Sequence, residues 1–180
     1  CMTHNSSGKL QVLEATKIPI YVPEDVDIAK AEFESNYPMH SVSFCEKEHR
    51  SQGGFLFTLM VNPNLSPSES AFTHGHEEGH LLTYLAQLTT LRQHVADLGY
   101  TFPFLTPEYA EMHDLQARRV LEGICTSTDY YDAWDKPWKE REDIANVGGL
   151  VALIKHGETK EMVDSKYQDI LSGQCYPFLF

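Results

Sequence analysis

The sequence predicts an α+β fold, and three observations predict it. Before residue 62 the apolar segments are short and rich in β-branched and aromatic residues. After residue 65 the apolar spacing becomes helical and start signals precede it. Strands therefore come first and helices follow, the order of an α+β chain rather than of alternating βα units. With 180 residues and 42% hydrophobic composition, a single core is affordable. Residues 1–16 are polar and read as a loose segment, and residues 17–180 as one domain.

Ile18–Val22 reads as a strand whose Pro19 suits an edge. Asp25–Ser35 has helical spacing, with Ile28 and Ala31 inward. Ser41–Phe44 alternates and Phe55–Val61 is strongly β-forming, so both are expected strands. Asn62-Pro63-Asn64 ends the second. Ser66, Pro67 and Glu69 then supply a cap, a first-turn proline and a capping-box acid. From there one amphipathic helix is expected through Leu81, Leu85, Leu88 and Leu91 to about Asp97, stopped by Gly99. A second helix starts near Pro107 and runs to about Cys125. Thr126–Pro137 is an aromatic, acidic loop, Glu140–Ile154 and Thr159–Leu171 are helices, and the apolar tail Cys175–Phe180 should pack on the body.

The net charge of −12 repels phosphate backbones and anionic lipid, which disfavours nucleic-acid and membrane-surface binding. The longest apolar run, Val147–Ile154 with its glycines, is far short of the roughly 20 residues that span a bilayer. Cys1, Cys45, Cys125 and Cys175 form no CxxC pair and read as free thiols of a cytoplasmic protein. The alternative is an exported or lipid-anchored chain, if Cys1 is a processed native terminus.

The chemistry sits at His76-Glu77-Glu78-Gly79-His80, an HExxH pattern. On a helix, positions i and i+4 share a face, so two imidazoles can grip one Zn²⁺ while Glu77 reaches a bound water as general base. Here the helix is predicted independently, from its cap and apolar stripe. The composition gives roughly 0.04 chance matches over the chain, which weighs against a merely solvated charged face. Gly79 adds weight. A helical glycine costs about 1 kcal/mol relative to alanine, so something must approach closely there. His74 lies two residues, about 200°, from His76 and should point away from a metal.

Leu59–Ser66 followed by Phe72-Thr73-His74-Gly75-His76-Glu77-Glu78-Gly79-His80-Leu81-Leu82 resembles the ImmA/IrrE-type metallopeptidases. In that family a strand leads by a short turn into an FT-x-A-HE-x-GH-x-L helix. Gly75 stands where the family has Ala, and the resemblance covers about residues 55–125. It implies a minimal zincin-like domain, a small N-terminal sheet packed on an active-site helix, with a mostly helical C-terminal half. It also implies zinc ligands at His76 and His80, a general base at Glu77, and a chosen protein substrate such as a repressor. Catalytic zinc needs a third protein ligand. Ala86 stands where a metzincin would have its third histidine, so a gluzincin- or aspzincin-like acid from the second helix is expected. The family's ExxANxFA pattern, laid on Asp114–Leu121, places Asp114 at the ligand and matches Ala117. Glu111 is the rival, and Glu108 and His113 are further candidates. A peptide-deformylase reading, from Glu122-Gly123-Ile124-Cys125, fails on segment order and on the residue inserted before the cysteine.

The expected function is thus a zinc-dependent endopeptidase acting on a specific protein or peptide. The alternative from another class is a catalytically idle zincin-like regulatory module. A structural zinc site, which favours four closed ligands, is the third reading.

Overall fold

The structure is a computed structural model. It describes residues 65–122 and 136–173, together with the backbone of five extended segments nearer the N-terminus. These five are β1 (Gly8–Leu13), β2 (Ile18–Pro23), β3 (Val26–Lys30), β4 (Ser41–Phe44) and β5 (Phe55–Met60). β1 and β2 form one antiparallel ladder, while β5 lies between a parallel β3 and an antiparallel β4. β1 falls within the stretch expected to be loose. β3 replaces the front half of the helix expected over 25–35. There Val26, Ile28 and Lys30 share one register face, and the parallel ladder with β5 satisfies the backbone groups. The four cysteines, the 126–135 loop and the 175–180 tail lie outside the described residues.

The helices are α1 (Pro67–Tyr84), α2 (Leu88–Asp97), α3 (Pro107–Leu121), α4 (Trp138–His156) and α5 (Lys160–Leu171). Among the described residues of 65–173 there is no strand and no sheet. The α+β expectation, with a sheet as the layer on the active-site helix, is therefore corrected: this body is helical, and the main partner of α1 is α4. The reason lies in α4 itself. Every residue from Asp143 to Leu153 is buried, so the helix is covered on all sides. It is the central element, and a helix this apolar must be wrapped by other helices.

Sequence signals place the helix starts well. Ser66 Oγ accepts from Glu69 N, Thr106 Oγ1 from Tyr109 N, and Thr159 Oγ1 from Met162 N. Gly157, in the left-handed region at φ 88°, ends α4.

The single helix expected from Ser66 to Asp97 is broken at Leu85-Ala86-Gln87, where Ala86 takes φ 58°. Two adjacent residues of α3 hold this corner. His113 Nε2–H donates to the Thr83 carbonyl near the end of α1 (3.0 Å). Asp114 accepts from Leu88 N (2.8 Å) and Thr89 N (2.9 Å) at the start of α2. The orphan groups of both helix ends are thus met by side chains from outside. Buried Leu85, Leu88, Leu91 and Val95 then close on Phe102, Leu105 and Val120. Among the described residues no helix is long and apolar enough to cross a membrane.

Candidate metal centre

The crossing of α1 and α4 makes the site. A Cβ on Gly79 would fall 2.7 Å from the Ala145 carbonyl oxygen, and one on Gly75 would fall 2.6 Å from that of Gly148. A Cβ on Gly148 would lie 3.0 Å from the Gly79 backbone, and one on Gly149 would strike the Phe72 ring. The two helices therefore touch backbone to backbone, running antiparallel from Phe72–Gly149 through Gly75–Gly148 to Gly79–Ala145. Just beyond the Gly79–Ala145 contact, the same course brings His80 to Glu142.

His76, His80 and Glu142 each point a ligand atom into one volume, all three within 4.8 Å of one another. Glu142 Oε2 lies 2.9 Å from His76 Nε2, and Oε1 lies 3.5 Å from His80 Nε2. The imidazoles meet edge to face with centroids 4.9 Å apart. His76 is 2% exposed, while the His80 and Glu142 side chains each keep 15% of their surface. The cluster is thus open on one side and closed on the other. Glu77 is buried with Oε1 3.9 Å from His76 Nε2. On the closed side, His76 Nδ1 lies 2.7 Å from Asn146 Oδ1, and Asn146 is fully buried.

The electrostatics follow. Burial works against charge on Glu142, but hydrogen bonds to His76 and His80 outweigh it and hold its pKa at about 2. Burial likewise opposes protonation of His76, yet the Glu142 bond and the nearby Glu77 charge raise its pKa above the usual 6.5. Burial lowers the pKa of His80; Glu142 opposes this and the charge on His76 adds to it. The Glu142 carboxylate thus favours positive charge at the place a divalent cation would use. Two imidazole nitrogens and one carboxylate, with one exposed side, are the donor set and openness of catalytic zinc.

Of the sequence-expected residues, His76, His80 and Glu77 come together and Asp114 does not join them. Both Asp114 oxygens are engaged at the start of α2, so its role in the described structure is a helix cap. Glu108 and Glu111 face solvent, and His113 is committed to Thr83. His74 turns away, as its helical phase requires, and pairs with Glu78 at 2.9 Å.

Glu142 and Asn146 were not anticipated. A signal for both existed: the E-x-x-A-N spacing laid above on residues 114–118 occurs letter for letter at Glu142, Ala145 and Asn146, one helix later. Only the closing F and A differ, replaced by Gly148 and Gly149. No family model, curated protein or solved structure matches the chain.

Proposed function

We propose that this chain is a zinc-dependent endopeptidase of the HExxH class, with His76, His80 and Glu142 as metal ligands and Glu77 as general base. The observation that carries the reading is the convergence of His76, His80 and Glu142 within 4.8 Å, with the Glu77 carboxylate beside them. A zinc ion held there supplies Lewis acidity to a water and to a peptide carbonyl. The protein's own part is proton management and placement. Glu77 takes the proton of the attacking water on a carboxylate oxygen and returns it to the leaving amine. The exposed edges of His80 and Glu142 mark the side from which a peptide enters, while buried His76 and Asn146 form the floor. The ImmA/IrrE resemblance supports one regulatory protein as substrate, and four cysteines without pairing spacing suit a reducing cytoplasm.

The test is zinc content together with cleavage of a proteome-derived peptide library, read by mass spectrometry. About one zinc per chain is expected, lost in His76→Ala and Glu142→Ala. Glu77→Gln should keep the zinc and lose cleavage by about 10²- to 10⁴-fold. A chain that takes up no zinc when supplied with it, or a Glu77→Gln variant that cleaves like the parent, overturns the proposal. Zinc uptake without cleavage of any peptide would leave the idle-module reading in its place.

A further inference from the structure

From Ile144 to Leu153, α4 presents one polar side chain, Asn146, in an otherwise apolar and glycine sequence. That side chain is 0% exposed. Burying an amide in such surroundings is costly unless its polar atoms find partners. Asn146 Oδ1 finds one in His76 Nδ1, at 2.7 Å. An amide oxygen only accepts, so Nδ1 must carry the hydrogen. With Nδ1–H committed to the floor, Nε2 is the nitrogen that faces Glu142 Oε2 at 2.9 Å and the edge of His80.

We propose that Asn146 is the positioning residue for His76: it fixes the imidazole in the tautomer and orientation that offer Nε2 to the ligand cluster. The inference rests on the metal-site reading above and goes beyond it, because it assigns the group that selects which nitrogen binds. Glu142 and Asn146 stand at i and i+4 on one face of α4, opposite His76 and His80 at i and i+4 on α1. One helix face thus supplies both a ligand and the orienter of another ligand. Asn146 lies one residue from Ala145, where α1 touches the α4 backbone, and its side chain is enclosed at that crossing. Among the described residues His80 has no comparable floor, and it keeps part of its surface open. The two histidines are therefore not equivalent: His76 is the anchored ligand, and His80 is the adjustable one at the open side.

The test compares the full chain with Asn146→Leu, which keeps size and removes the acceptor. Zinc affinity is measured by competition with a chromophoric chelator, and the His76 tautomer by long-range ¹H–¹⁵N correlation of the zinc-loaded protein. The parent should show Nδ1 protonated and Nε2 bound. Asn146→Leu should bind zinc about 10- to 100-fold more weakly, with His76 no longer confined to that one tautomer. Equal zinc affinity in the two proteins overturns the inference while leaving the metal site intact. If leucine at 146 prevents folding, the parent spectrum decides alone: zinc on Nδ1 with the proton on Nε2 overturns the proposal, and the opposite arrangement supports it. A parent that binds no zinc overturns the metal-site reading, and this inference falls with it.

Discussion

Two acidic side chains reach across to neighbouring helices in this protein and meet opposite chemistry. At the α1–α2 corner, Asp114 of α3 is closed over by backbone N–H groups, and its neighbour His113 takes the facing carbonyl of α1. At the α1–α4 crossing, Glu142 meets two imidazoles and keeps an open side. The first region uses side chains to finish two helices. The second removes side chains, at Gly75, Gly79 and Gly148, so that two helices close until functional groups converge. A buried carboxylate is therefore a poor guide to chemistry by itself. What decides is whether the groups around it are exhausted by local structure or left able to change partners.

The largest effect should come from breaking the crossing. Gly79→Val places side-chain atoms on the Ala145 backbone, which cannot yield as a flexible side chain would. We expect a loss of about 3 kcal/mol in urea unfolding and no retained zinc. A folded variant with parental stability would show that the close approach is not needed.

Next comes an exchange of roles. Asp114→Ala removes a cap that serves two donors and should cost about 2 kcal/mol while leaving zinc stoichiometry unchanged. Glu142→Ala should do the reverse. Zinc is lost, and metal-free stability changes by about 1 kcal/mol or less, because the Glu142 side chain is partly open to solvent and completes no helix end. If Asp114→Ala lost zinc at parental stability, the assignment of the two carboxylates would have to be reversed.

A smaller effect concerns pH. Burial lowers the pKa of His113; the Thr83 carbonyl opposes that shift without cancelling it. The folded imidazole therefore stays neutral at a pH where the unfolded one, near 6.5, takes up a proton. The unfolded state binds more protons there, so this contribution is present above about pH 6.5 and is lost as pH falls through the folded pKa. His113→Gln should flatten that acid limb in a series of denaturant titrations. A limb as steep as the parent's would assign it to other groups. The smallest effect is expected at Glu111, exposed on α3: Glu111→Ala should move stability by no more than about 0.5 kcal/mol and leave zinc binding unchanged.

Much of this was readable beforehand, for physical reasons that differ by residue. The starts of α1, α3 and α5 were legible because capping is local, the Ser66, Thr106 and Thr159 oxygens reaching N–H groups three residues ahead. His76, Glu77 and His80 were legible because one helix turn brings i and i+4 together whatever surrounds it. The break at Ala86 was not, because the apolar stripe runs through it unchanged and the groups that stabilise it come from residues 113 and 114. The expected helix over 25–35 gave way to β3 for a similar reason. Its five residues suit either period, and pairing with β5 decides.

The sequence by itself determined an HExxH pattern whose His76, Glu77 and His80 share one helix turn, the shortness of its longest apolar run and the helical starts that frame the pattern. All of these depend on spacing within one turn or on composition. Tertiary structure decided which carboxylate joins His76 and His80 and which side chain meets His76 Nδ1. Glu142 and Asn146 lie more than sixty residues from the histidines and were one of several acidic faces until α4 docked. The glycines turned the HExxH pattern into a site, because only residues without a Cβ let two helix backbones come near enough for a carboxylate on one to span both imidazoles on the other.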